Sequence, residues 1–231
     1  LQENNAIAKV NLNDNKIGDE GVKAIVESLE VNTNLTELEL KDNQITYTGM
    51  EAVLESAIEV LQTNKNLLYF KLPRSPMEFL KIYKMQILIM RNRMLKDSFL
   101  SFDRLDIGDN DAKILAESLA ESKSIKVLYL NDNKIGDKGL QYLSDALKKN
   151  TTLTTLYLNN NQIGDEGVIE LAEALKTNTS LKHLHLHDNQ IGDEGATSLA
   201  WMLVDNKKIE KLKLMRNVIG EAGHTNLERA M

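Results

Sequence analysis

Three histidines, His183, His185 and His187, alternate along one short stretch, and a row of imidazoles is a natural candidate for holding a transition metal. The spacing argues against it. Same-face residues on a strand lie about 6.7 Å apart, zinc holds its nitrogens at about 2.1 Å, and His187 already falls in a turn, so no metal is expected. Carboxylate pairs are the second candidate chemistry: Asp19 with Glu20, Asp165 with Glu166 and Asp193 with Glu194 have the look of catalytic or calcium-binding groups. Each stands in an N-x-I-G-D-E-G phrase before an apolar-periodic run and lacks the further ligands of a calcium loop. Asp19, Asp137, Asp165 and Asp193 are therefore expected to cap the helix that follows, at the positive end of its dipole. Sequons at Asn34, Asn150 and Asn178 carry little weight, because loops built of Asn and Thr generate N-x-S/T by composition. No nucleophile with a base and no Gly-rich phosphate loop appears, so neither a catalytic residue nor a cofactor is expected.

These residues are positioned by a unit that the whole chain copies. In the stretch from Leu153 to Ser180, Leu153, Leu156, Leu158, Asn161 and Ile163 form an L-x-x-L-x-L-x-x-N-x-I phrase, and V-I-E-L-A-E-A-L-K follows with helical spacing of apolar residues. One unit therefore reads as strand, turn and helix. Its first position recurs at Ile7, Leu35, Leu67, Asp97, Ile125, Leu153, Leu181 and Ile209, with a spacing of 28 residues except after Leu35 and Leu67. The asparagines Asn15, Asn43, Asn133, Asn161, Asn189 and Asn217 are expected to satisfy backbone groups of the sharp turn leaving the strand.

This phrase resembles the leucine-rich repeat of the ribonuclease-inhibitor-like class, the long helical type also found in NOD-like receptors. The resemblance implies an α/β solenoid, a curved horseshoe segment with a parallel β-sheet on the concave face and helices on the convex face. It also implies a protein-interaction role. The period argues for a single array over 1–231 without a domain boundary. Both ends fall at the end of a repeat helix, with neither a polar capping repeat nor an initiating Met, which is what a segment of a longer protein would show.

Composition narrows the function classes. The absence of cysteine excludes disulfides and thiol metal sites, sets the chain apart from ribonuclease inhibitor itself, and points to a reducing, cytoplasmic setting. Delivery into a host cell as a bacterial effector is compatible with the same composition. A net charge of −6 and a pI near 5.4 argue against nucleic acid. No apolar run reaches a membrane span and no signal peptide is visible.

The pattern fails over 67–106. Ser75 and Leu105 replace the turn Asn, Pro73 and Pro76 flank Ser75, and the helix expected over 78–96 is basic and apolar where its siblings are acidic. Phe79, Leu80, Ile87 and Met90 exceed what one buried stripe needs, so part of this set is expected to be exposed. A partner site on the convex side, an interfacial membrane helix, and drift, including a compensated pair of frame slips, are all compatible with this stretch. Trp201 is expected on the helical surface, packed against a neighbouring helix, with a binding role as the alternative.

Between the inward leucines of each strand, the third and fifth positions should face outward and stack into two columns. The third reads Lys9, Glu37, Tyr69, Phe99, Val127, Thr155, His183, Lys211, and the fifth Asn11, Glu39, Lys71, Ser101, Tyr129, Tyr157, His185, Lys213. Tyr69, Phe99, Val127, Tyr129, Tyr157, His183, His185, Lys211 and Lys213 are the candidate partner-binding residues. An acidic edge at Glu37 and Glu39 lies to one side, and a basic edge of Lys211, Lys213 and Arg216 to the other. Tyr and His also suit exposed strands without any ligand. The function expected is a non-catalytic module that binds a protein on this face. The alternative follows from the resemblance, because the GTPase-activating protein of the Ran system uses this repeat class and a reactive arginine. Arg74 and Arg104 occupy equivalent rim positions, although no motif of that family surrounds them.

Overall fold

The computed structural model describes residue 4, residues 6–72 and residues 79–230, without the side chains of Tyr47 and 79–86. Short strands alternate with helices, as the two periodicities predict. The order is β1 (Lys9–Asn11), α1 (Asp19–Glu27), β2 (Glu37–Glu39), α2 (Tyr47–Thr63), β3 (Tyr69–Lys71), α3 (Phe79–Met94), β4 (Phe99–Ser101), α4 (Asp109–Glu121) and β5 (Val127–Tyr129). It continues through α5 (Asp137–Leu147), β6 (Thr155–Tyr157), α6 (Asp165–Thr177), β7 (His183–His185), α7 (Asp193–Asp205), β8 (Lys211–Lys213) and α8 (Glu221–Ala230). The chain divides into two compact units, Leu1–Arg93 and Met94–Met231, and the division falls inside the irregular stretch. The first unit carries a three-stranded sheet in the order β1-β2-β3, and the second a five-stranded sheet in the order β4-β5-β6-β7-β8.

Every strand pair is parallel and in register one repeat apart, so Leu128 lies opposite Leu156, and Leu156 opposite Leu184. In the repeat that starts at Leu153 the core is the predicted set. Leu153, Leu156, Leu158, Ile163, Val168, Leu171 and Leu175 are fully buried, and losing one such leucine to alanine costs about 2–5 kcal/mol in a packed core. Helix α2 runs 17 residues against 13 for α6.

The turn asparagines act within their own repeat and on the one before. Asn161 donates from Nδ2 to Leu158 O at 3.1 Å and to Leu130 O at 2.9 Å, and its Oδ1 accepts from Ile135 N at 3.0 Å. Asn189 repeats the set on Leu186 O, Leu158 O and Ile163 N. Leu105 leaves a gap in this column, yet its own N–H is held by Asn133 Oδ1 at 3.1 Å.

A second asparagine column closes the turns that lead from helix to strand. Asn150 donates to Leu119 O and Ser122 O and accepts from Leu153 N, and Asn178 does the same with Leu147 O, Asn150 O and Leu181 N. Both are 5% exposed or less. Two of the sequon asparagines are thus structural, with amide nitrogens committed inside the protein.

The aspartates do not cap their own helices. Each is the first residue of its helix, behind a glycine whose missing side chain offers no cap, and its carboxylate reaches forward to the next repeat. Asp165 Oδ1 accepts from Gly192 N at 2.6 Å and Gly195 N at 3.0 Å, the first orphan donors of α7. Asp109 does this for α5, Asp137 for α6 through Gly164 N, and Asp193 for α8. Asp19 accepts from Thr46 N at the start of α2. The expected role of Asp19, Asp137, Asp165 and Asp193 is therefore corrected: the cap is right and the helix is the next one. This explains the second glycine of the phrase. A Cβ on Gly167 would meet the Asp137 backbone at 2.8 Å, and one on Gly195 the Asp165 carboxylate at 2.6 Å. Where the third repeat has Phe79 in place of the aspartate, the fourth has Asp111 in place of the glycine, and Asp111 Oδ2 accepts from Gly108 N of its own helix at 3.0 Å.

Within the irregular helix α3, Ile87 is buried rather than exposed, and Met90 is half-buried. The side chains of Phe79 and Leu80 lie outside the described residues. Arg91, 5% exposed, turns inward and donates from Nη2 to Leu61 O at 2.5 Å near the end of α2, where a cation suits the negative end of the helix dipole.

Candidate functional site

The parallel register brings the fifth-position residues of β5, β6 and β7 into one row, with Tyr129 opposite Tyr157 and Tyr157 opposite His185. Their rings stack. Tyr129 and Tyr157 lie face to face at 4.3 Å between centroids and 6° between planes, and His185 follows Tyr157 at 4.4 Å and 44°. Ser101 is the small residue opposite Tyr129 on β4, and the ring that extends the row there is Phe99, edge-on to Tyr129 at 5.1 Å. Four rings from four successive strands thus form a continuous column. Phe99 is 55% exposed, whereas His185, expected to face solvent, is only 7% exposed.

Burial sets the electrostatics of the column. It holds the His185 imidazole down to about 4, helped by the charges of Lys213 and Lys211 and then by His187 and His183. The Tyr129 hydroxyl is pushed up, first by burial and then by Tyr157 and Asp103. His185 and Tyr129 are therefore uncharged at neutral pH.

Alongside it, Val127 is half-buried, Thr155 is buried, and Thr155 Oγ1 lies 3.4 Å from His183 Nδ1. Glu210 is 2.7 Å from Lys182 Nζ and 3.7 Å from His183 Nε2. Lys211 and Lys213 lie on β8, and among the described residues neither has a carboxylate within ion-pair distance.

The remaining candidates sort as follows. Tyr69 belongs to the three-stranded sheet of the first unit, where Lys71 Nζ stands 4.5 Å over its ring. In that unit Glu37 pairs with Lys9 at 2.6 Å, and Glu39 accepts from Asn13 Nδ2. Arg74 lies outside the described residues. Arg104 and Arg216 share the left-handed turn position, at φ 58° and 57°, with Asp14, Asp42, Asp132, Asn160 and Asp188. Their side chains are more than 80% exposed and pair with Asp132 at 3.3 Å and Asp188 at 3.4 Å. The Asp or Asn that precedes each turn Asn was the sequence signal for this backbone, since these residues tolerate positive φ. His187 turns toward Asp188 at 3.8 Å, and among the described residues no three or more His, Cys, Asp or Glu side chains converge on a metal position. No helix among them is long and apolar enough to cross a membrane. Trp201 is 66% exposed, so packing against a neighbouring helix accounts for only a minor part of its surface.

Strand–turn–helix units stacked in parallel, tied by asparagine columns, define a leucine-rich repeat solenoid. The family model described as Leucine Rich repeat matches residues 4–26, 31–54, 121–144, 149–172 and 177–200, more than half of the chain, and the chain belongs to that family. Among solved structures it is similar to leiomodin-1 actin-binding site 2, at 21% identity and a TM-score of 0.52, covering 65% of this chain and 90% of that one. It is also similar to the tropomodulin C-terminal domain of Caenorhabditis elegans, at 13% identity and a TM-score of 0.52, covering 64% and 90%. At these identities the likeness carries the architecture alone. No curated protein sequence matched.

Proposed function

We propose that the chain is a non-catalytic protein-interaction module and that the exposed face of the β4–β8 sheet, expected from the resemblance to be concave, is its ligand surface. The observation that carries this reading is the ring column of Phe99, Tyr129, Tyr157 and His185. No core requirement places aromatic side chains at these strand positions, because the leucine between each pair already fills the interior. Rigid aromatic groups at the centre of a face are the residues that most often dominate an interface, at roughly 2 kcal/mol or more each. Val127, His183, Lys211 and Lys213 flank the column on the same sheet. The alternative, regulation of a GTPase through a rim arginine, rests on the resemblance alone: Arg104 is exposed and pairs with Asp132 at 3.3 Å, and Arg74 lies outside the described residues. A reducing, intracellular setting fits the cysteine-free sequence.

The test is affinity capture with the wild-type chain and with Tyr129→Ala/Tyr157→Ala. The double variant should weaken a captured partner at least about tenfold, roughly 1.4 kcal/mol, while keeping its thermal transition. Trp201→Ala, on the helical side, should leave capture unchanged. Normal capture by the tyrosine variant together with loss in Trp201→Ala would move the ligand surface to the helices.

A further inference from the structure

Resting on that reading of the sheet face, we propose that its ligand is an extended acidic peptide segment, which sets one large apolar side chain against the ring column and carboxylates about three residues further along against Lys211 and Lys213. The charge distribution commits the surface to this chemistry. The protein carries a net charge of −6, yet on β8 this face carries two lysines without an acidic partner among the described residues. The acid nearest in sequence, Glu210, pairs with Lys182 at 2.7 Å and lies 3.7 Å from His183 Nε2, and it is not within ion-pair distance of Lys211 or Lys213. At the other end of the sheet Asp103 stands beside β4, its carboxylate accepting from Asn131 N at 2.7 Å. Charge is thus unevenly spread along the face, with an aromatic column over β4–β7 and two lysines beside it on β8.

The spacing follows from the sheet. Tyr157 on β6 and Lys213 on β8 sit in one row two strands apart, about 9.6 Å at the usual strand separation, and an extended peptide covers that in roughly three residues. Aromatic rings beside lysines on a sheet also suit single-stranded nucleic acid, whose bases stack on ring faces. Here Tyr129 and Tyr157 cover each other's faces, 6° from parallel at 4.3 Å. What remains outside is ring edge, which packs against an aliphatic or aromatic side chain and offers no platform to a base.

The experiment is selection of a displayed library of random peptides, about ten residues long so as to cross the sheet at roughly 4.8 Å per strand, on the immobilised full chain. Enriched peptides should carry Phe, Tyr, Trp or Leu followed after about three residues by Asp or Glu, and a synthetic copy should bind less well as salt rises. Lys211→Glu/Lys213→Glu should weaken that peptide at least tenfold and turn the selection toward Lys and Arg behind the same apolar residue. Tyr129→Ala/Tyr157→Ala should abolish enrichment of both features, and equal thermal transitions confirm that each variant folds. Peptides that need the tyrosines but show no acidic preference overturn this proposal and leave the sheet face as the ligand surface. Peptides indifferent to the tyrosines overturn both readings. Failure to enrich any peptide, or displacement of bound peptide by oligothymidylate, overturns the acidic-segment chemistry.

Discussion

Acid should loosen the second unit through His185 in particular. Its imidazole titrates near 4 in the folded chain and at 6.5 in an unfolded one, so above about pH 6.5 both states are neutral there and the residue contributes nothing to pH dependence. Between these values the unfolded state takes up the proton first, and stability falls as pH falls, by about 1.4 kcal/mol per pH unit. Across the full window of some 2.5 units the loss approaches roughly 3 kcal/mol, a large part of a small domain's stability. His185 is 7% exposed, so solvent screens little of it. His185→Phe isolates the effect because it keeps a ring in the column and removes the proton site. Urea unfolding of the wild type and of His185→Phe at pH 7.5 and pH 4.5 should show the wild type losing about 2–3 kcal/mol more than the variant. Added salt should recover only the share due to Lys213 and Lys211, since burial is the larger cause. Identical pH dependence in the two proteins, or an NMR titration midpoint of the His185 ring near 6.5, would refute the argument.

Three further outcomes follow from the same geometry. Asp165→Ala removes the acceptor of two helix-start donors and should cost about 1–2 kcal/mol, whereas Gly195→Ala should cost more in the wild type than in the Asp165→Ala background, where the 2.6 Å clash is gone; a thermodynamic cycle with no coupling would contradict the forward cap. Arg216→Asn relieves a left-handed backbone that costs an ordinary residue about 1–2 kcal/mol and gives up an exposed ion pair worth under about 1, so the melting temperature should rise, and a fall would show that the pair outweighs the strain. Native-state hydrogen exchange should find 67–106 opening at lower free energy than Ile125 to Ser198, because Ser75 and Leu105 stand where the sequence pattern puts a turn asparagine; uniform protection would rule this out.

The repeat itself was legible from the chain because strand and helix announce themselves by local periodicity. Leu153, Leu156, Leu158 and Ile163 are core in any arrangement that alternates a two-residue and a 3.6-residue period. The outward rank of Tyr129, Tyr157 and Lys213 follows from the same alternation, as does the place of Asn161 in its turn. The bonds between repeats were beyond such reading. Asp165 looks like a cap for its own helix, and only the stacking distance shows its carboxylate reaching Gly192 and Gly195, 27 and 30 residues later. Asn150 and Asn178 look like loop residues until their amides are found donating to carbonyls 28 to 31 residues back. That Tyr129 lies flat on Tyr157, that Phe99 and not Ser101 continues the row, and that His185 is buried enough to lose its charge depend on rotamers and on the contact between neighbouring strands. Periodicity fixes which face a side chain takes; what it touches there is decided by packing across repeats far apart in sequence.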